Sequence, residues 1–439
     1  MGKGLSSFQI VLLAVFAALG VGAVLIFALA TAGNGNGGVG PVSIWGTFNQ
    51  TTVKTVIQKA SDTDQRLLQV SYSQKDPTNF DATLANALSS GTGPDMFIMR
   101  GDQALFDAPK VFVIPTSQLT QSQFQATFAD AANPFLSQSG TVGVPILIDP
   151  LVLYWNRDML SSAGIAQPPQ YWDQVPAMAA QITQKDDAGV IQRSAIALGT
   201  YKNIDRAKDI LAMLIMQAGG QITALNSNGQ VQAALTQGGG SSQAAQNALR
   251  FYTEFANPAQ SDYTWNDSLP NARQAFASGE LAMYIGYASE EGLIRATNPN
   301  LNYAVAPVPQ IRGATNAIDG GAVYALAIPK TAKNGTGALT VSYLIASAQV
   351  DATLAQTLGL APARRDAIAT STPQGYQDLY DKQALLVRSW QDPDPSQTDP
   401  IFQGMIEDTE SGAIQVVDAI GRANQQIQHI LDQEQPPTQ

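Results

Sequence analysis

From Phe8 to Ala30 the chain carries no charged residue and consists mainly of Val, Leu, Ala, Ile and Phe. A run of about 20 such residues is what an α-helix needs to cross a bilayer. Lys3 just before it predicts a cytoplasmic N-terminus and an exported remainder. The expectation is an uncleaved transmembrane helix within residues 1–32. Small-x-small triplets at Ala28-Leu29-Ala30 and Ala30-Thr31-Ala32 keep a cleaved signal peptide as the competing reading. Residues 33–40 (GNGNGGVG) read as a flexible linker reaching roughly 15 Å, at about 5–6 Å × √n. Its Gly33-x-Gly35-x-x-Gly38 spacing is formally a dinucleotide fingerprint. No strand precedes it and no helix follows, so that reading is set aside.

Beyond the linker, strand and helix patterns alternate. Pro41–Phe48 reads as a strand, Thr51–Ala60 as a helix and Leu67–Ser73 as a strand. Phe80–Ser90 is a helix with Phe80, Leu84, Ala87 and Leu88 on one face, and Asp95–Met99 opens the next strand. This βαβαβ order predicts an α/β class with a parallel sheet and right-handed crossovers. Ligands of such sheets bind beyond the strand C-termini, which puts Thr47, Phe48, Asn49, Arg100 and Asp102 at a candidate site. Val142–Asn156 is one apolar run broken by Pro145 and Pro150, and two strands with a bend at Asp149-Pro150 are expected. Helices follow at Arg157–Ala163, Tyr171–Gln184, Asp205–Ala218, Ala244–Phe255 and Asn271–Ser278, with Gly238–Ser242 as a loop. Strands are expected at Leu281–Gly286, Tyr303–Pro307 and Ala322–Ile328. Ile414, Val417, Ile420, Ala423, Ile427 and Ile430 mark a C-terminal amphipathic helix.

Composition narrows the chemistry. The chain has 439 residues, no Cys and one His, His429. That excludes disulfides, thiolate nucleophiles, Cys zinc sites and iron–sulfur clusters, and it argues against a Ser-His-Asp triad or a multi-His metal centre. It also removes the thiol through which a lipid anchor would be attached, which favours the membrane helix. With 24 Lys+Arg against 35 Asp+Glu the net charge is −11, so no nucleic-acid partner is expected. No Gly-x-Ser-x-Gly, Ser-x-x-Lys or Walker A motif occurs. No metal, cofactor or catalytic residue is expected.

Five segments, in order, resemble the extracellular solute-binding proteins of ABC importers, in the group typified by maltose-binding protein. They are Ile44-Trp45-Gly46-Thr47; Ala87–Asp95 (ALSSGTGPD); Gly143-Val144-Pro145 with Leu153–Leu160 and Gly164-Ile165; Ala275–Met283 (AFASGELAM); and Leu358–Asp366 (LGLAPARRD). The resemblance extends over essentially all of residues 41–431. It implies a periplasmic-binding-protein-like (type II) fold of two α/β lobes that close over one ligand. The implied crossovers lie near Asp149, Gly286–Tyr287 and Gly320–Tyr324. Lobe one would comprise 41–148 plus 287–321, and lobe two 149–286 plus 322–439.

A sugar site needs planar polar side chains and an aromatic platform. The polar candidates are Asn49, Arg100, Asp102, Asp149, Asp319 and Arg364, the last at the family's "PAR" position. Phe48, Trp265, Asn266 and Tyr287 complete the set; Trp265 lies in a polar loop, where burial is the harder explanation, and the resemblance turns that segment toward the cleft. Glu290-Glu291 reads as a helix N-terminal charge pair. The resemblance implies a carbohydrate ligand and ABC permease subunits as partners, with the membrane helix as tether. The rivals are a sensory or capture protein for another solute, such as a polyamine, and a two-carboxylate glycosidase.

Overall fold

The computed structural model describes residues 39–370 and 374–434. The expected transmembrane helix and most of the linker lie outside the described residues. Within them, no single helix is long and apolar enough to cross a membrane. The helices Gly335–Ile345 and Ala348–Leu358 pass that test only as a pair bent by 72°, and Ala338, Val341, Ile345, Leu354 and Ala355 bury them in a core.

The opening elements follow the apolar pattern closely. β1 (Val42–Gly46), α1 (Gln50–Ser61), β2 (Val70–Gln74), α2 (Phe80–Ser89) and β3 (Met96–Arg100) alternate as expected. β1 pairs parallel with both β2 and β3. Val53, Val56 and Ile57 of α1 face inward at helical spacing. The Asn49 side chain caps that helix by accepting from the Thr52 N–H at 3.0 Å.

The run expected as two strands is one. β4 spans Val144–Asn156 without a break, prolines included. The reason lies in its neighbours. Residues 144–150 pair with β8 (described below) and the short strand Ala361–Pro362, whereas 151–156 pair with two strands of the other lobe. Every partner changes between Pro150 and Leu151. Pro145 stands opposite Ala325, where a bulge shifts the register. Each proline therefore sits where the ladder is already interrupted, so its missing N–H costs little. With both faces covered, β4 shows no inside–outside alternation; all but one of its residues are buried.

β5 (Ile191–Ile196), α3 (Ala207–Gln217), α4 (Gly238–Glu254), α5 (Ala272–Ser278) and β6 (Leu281–Tyr287) continue the chain. The GGGSS stretch expected as a loop is the first turn of α4. The apolar face beyond Ala244 packs firmly, and a helix once nucleated extends backward at small cost. α5 ends at Gly279, whose φ of 79° closes the helix in the left-handed conformation that Gly adopts without strain. β7 (Tyr303–Ala306) and β8 (Gly321–Ala327) return to β4, both antiparallel. α6 (Pro395–Glu410) and α7 (Val416–Glu434) pack on each other; Ile420, Ala423, Ile427 and Ile430 of α7 are buried, as its spacing predicts, whereas Val417 is exposed and Ile414 precedes the helix. The strand order is β2–β1–β3–β8–β4–β6–β5, extended at the far edge by Gln184–Lys185.

Two apolar cores divide the molecule. The first gathers 42–148, then Val323–Ala363, Ala384 and Val387. The second gathers Leu151–Val308, Ala322, Tyr380 and Ile401–Leu431. This corrects the expected lobe assignment for two segments. Residues 287–308 stay with the second lobe because β7 pairs with β4 beyond Leu153 and Ile294 packs in its core. Residues 323–363 belong to the first because β8 lies between β3 and the early part of β4. Gly286–Tyr287 is accordingly no crossover, since β6 pairs with β4 only from Leu151 onward. The passages between lobes run at 149–151, at 319–322 and through 384–390. They lie side by side: Gly321 stands opposite Pro150, and Asp319 bridges Val387.

Candidate functional site

The C-terminal end of β3 delivers Arg100 to the face between the lobes. Its Nε and Nη2 donate to the two oxygens of Asp102 at 3.0 and 2.6 Å, a planar bidentate pair. Asp102 is the main reason the Arg100 guanidinium is held well above its ordinary pKa. Tyr324 stands opposite Arg100 across the β3–β8 ladder. The Phe48 ring meets the Tyr324 ring edge-on with centroids 4.9 Å apart. The first lobe thus offers an aromatic corner beside a paired cation.

The second lobe answers with the first turn of α3 and the end of β6. The Tyr287 hydroxyl donates to Asp209 at 2.9 Å, and the Arg206 guanidinium lies over the Tyr287 ring at 4.4 Å. Burial alone would lower the Arg206 pKa; the Glu290 charge, with Tyr287 and Asp209, outweighs that and raises it. The charges of Tyr287 and Asp209 add to that of Asp102 in raising the Arg100 pKa, which couples the first-lobe group to the second-lobe one. Farther along, Lys208 Nζ bonds Asp392 at 2.8 Å and Asp399 at 2.6 Å and lies 5.6 Å over the Trp390 ring. Burial lifts Asp392 to a pKa of about 6 against the pull of Lys208, and the charge of Asp102 adds to the rise.

Of the residues singled out in the sequence, Phe48, Arg100, Asp102 and Tyr287 come together here. Asn49 neighbours Phe48 but spends its side chain on the α1 cap. Asp149 is buried in the hinge, where its Oδ1 accepts the Ser289 N–H at 3.0 Å; burial raises its pKa to about 7.

Four expectations are corrected. Trp265 is only 1% exposed, fills the second core and donates its indole N–H to Asn203 at 3.0 Å. Its polar neighbours in sequence do not keep the loop at the surface: Asp262 and Thr264 are buried too, Thr264 bonding Ser194 and the Ala195 N–H. Asn266 is bound within its own loop, to Tyr263 and Ser268. Asp319 is wholly buried in the second passage, with neither carboxylate oxygen hydrogen-bonded by a side chain, and burial drives its pKa far up. Arg364 is engaged on the first lobe, donating to Asp366 at 2.9 and 2.7 Å.

Sequence reasoning missed Arg206, Lys208, Asp209, Tyr324, Trp390 and Asp392. No motif marks them. The usable signal was the charged triplet of Arg206, Lys208 and Asp209 at the start of the otherwise apolar α3. Glu290 does stand at the N-terminus of the helix Glu291–Thr297 with Glu291 in its first turn, but the pattern did not show that it is also a buried ion-pair partner of Arg206. Among the described residues no group of three His, Cys, Asp or Glu side chains is placed to hold a metal.

A family model described as "Bacterial extracellular solute-binding protein" matches residues 57–381. A protein of Brucella abortus (strain 2308), provisionally named a binding protein, is 25% identical over 236 residues, which is 52% of each chain. The match thus spans about half the length of that relative. The fold is similar to that of the sugar-binding protein MalE of Xanthomonas citri, with a TM-score of 0.71 at 17% identity over 90% of this chain and 98% of that one. It is similar to a cyclo/maltodextrin-binding protein complexed with maltotetraose, with a TM-score of 0.70 at 15% identity over 93% and 100%. An ABC transporter solute-binding protein of Thermotoga lettingae bound with α-D-tagatose gives 0.67 at 21% identity over 89% and 100%. The two cores, the shared strand β4 and the match over most of the body lead to one conclusion: the chain belongs to the bacterial extracellular solute-binding protein family.

Proposed function

We propose that the protein captures a neutral carbohydrate between its lobes and delivers it to the permease subunits of an ABC importer. The observation that carries this is the state of the cleft charges. Arg100 is paired with Asp102, Arg206 with Glu290 and Lys208 with Asp392, while Tyr287 bonds Asp209. Each of the three cations is engaged by a carboxylate, and the remaining carboxylate, Asp209, accepts from the Tyr287 hydroxyl, so the site offers a solute hydrogen bonds and ring faces rather than an unpartnered charge. That suits the hydroxyl edges and C–H faces of a sugar better than a polyamine. The structural relatives with maltotetraose and tagatose bound support the same ligand class. Capture of this kind needs shape and hydrogen bonding and no nucleophile. The apolar Phe8–Ala30 stretch supports placing the lobes outside the cytoplasm on a membrane tether.

Thermal unfolding against a panel of sugars and polyamines tests the reading. A ligand that binds only the native state at 100 times its Kd adds about 2.7 kcal/mol, a shift of several degrees. A neutral sugar should give it. Stabilisation by putrescine or spermidine alone overturns the carbohydrate assignment, and release of reducing ends from glycans overturns the binding-protein assignment.

A further inference from the structure

Glu290 is a carboxylate at only 2% exposure, in the turn Ala288–Glu290 that follows β6. A buried carboxylate persists only where donors replace its water. Its Oε1 accepts Arg206 Nε at 2.9 Å and the Tyr287 backbone N–H at 3.3 Å. Its Oε2 accepts the Tyr284 hydroxyl at 2.6 Å, and Arg273 Nη1 lies 3.7 Å away. Glu290 itself is closed to solvent, but Arg206 keeps 28% of its side chain exposed. The Arg206 side chain makes no other hydrogen bond among the described residues, so its Nη donors remain free for a solute. The same turn is tied to the hinge, through Ser289 N–H on Asp149 at 3.0 Å and the Tyr154 hydroxyl on the Tyr287 carbonyl at 2.7 Å.

We propose that Glu290 is the positioning residue of the cleft, acting through Arg206: it holds the guanidinium over the Tyr287 ring, so that the Arg206 Nη donors and the Tyr287–Asp209 pair meet a solute in one fixed arrangement. Rotamer freedom removed before binding is not lost on binding, so a fixed guanidinium binds more tightly than a mobile one. Glu290 touches no ligand. The idea rests on the reading of the cleft as a sugar site, and the experiment separates the two.

The first measurement uses no ligand. In full-length protein labelled with 15N-arginine, the Arg206 Nε–H signal is the one lost in Arg206→Lys. It should exchange slowly with water in the wild type and rapidly in Glu290→Gln, with Glu290→Asp as the second variant if Gln does not fold. The second measurement is affinity for whichever sugar stabilises the wild type. Glu290→Gln should weaken it about tenfold, the scale of one hydrogen bond to a charged group. In an Arg206→Met background the same change should cost nothing further, because its route is already removed. A fast-exchanging wild-type signal, or one unchanged in the variants, overturns the proposal. So does an equal affinity loss in both backgrounds, which marks a merely structural role. If no sugar stabilises the wild type, the carbohydrate reading fails and the exchange measurement alone decides the role of Glu290.

Discussion

Asp149 is a carboxylate almost closed to water, on the strand that carries the chain from one lobe to the other. Burial raises its pKa to about 7, and its bonds with Ser289 only partly offset that. A carboxyl whose pKa is higher folded than unfolded holds its proton longer in the native state. Its contribution is therefore complete below the unfolded value near 3.8 and is lost as pH climbs toward 7. Asp319, also raised by burial, adds a slope of the same sign. Asp149→Asn keeps the acceptor for Ser289 and removes the ionisation. The variant should melt a few degrees above the wild type at pH 7 and match it near pH 4, as followed by calorimetry across that range.

The element that organises the molecule is β4, and its conduct depends on close backbone approach. A Cβ built on Gly321 would lie 2.8 Å from the Asp149 carbonyl and 3.1 Å from the Pro150 Cα. Both are main-chain atoms of the crossing strand and cannot swing aside. Gly321→Ala should therefore push β8 off β4 and cost on the order of 1–3 kcal/mol, measurable by urea unfolding. Elements of this kind were partly legible from sequence. The elements from β1 to β3 stand within three residues of their expected bounds, because local patterning decides which face is buried. What the pattern could not convey is which lobe a returning segment joins. β8 and β7 look alike as apolar strands, and only their positions along β4 assign them to different lobes. Trp265 failed for a related reason, since polar sequence neighbours say nothing about the apolar side chains that cover a ring in space. Arg100 was legible because strand C-termini in such sheets converge on a cleft, and Tyr287 only through the family resemblance. Arg206 and Asp209 were not, because a helix N-terminus reaches that cleft only through tertiary packing.

At the scale of the whole molecule, two cores share one sheet, and the cleft groups come from both. Lobe closure of the kind the family fold implies must be accommodated by the three passages between the cores. They are bonded to one another: Leu151 N–H to the Gly320 carbonyl at 2.9 Å, Asp319 N–H to Leu386 at 3.0 Å and Arg388 N–H to Asp319 at 2.9 Å. A ribbon bonded in this way cannot swivel about one peptide. Its motion has to be a small twist shared along all the strands, with the ladder intact. The amides of Leu151, Asp319 and Arg388 should then show slow deuterium uptake by mass spectrometry, equally so with and without the proposed sugar. Rapid uptake there in the sugar-free protein would mean that the ladder breaks on opening. If the ladder holds, the ribbon behaves as a torsion spring: the energy of closing is stored in the strand twist, and a solute that bridges the cleft has only to outweigh that restoring force.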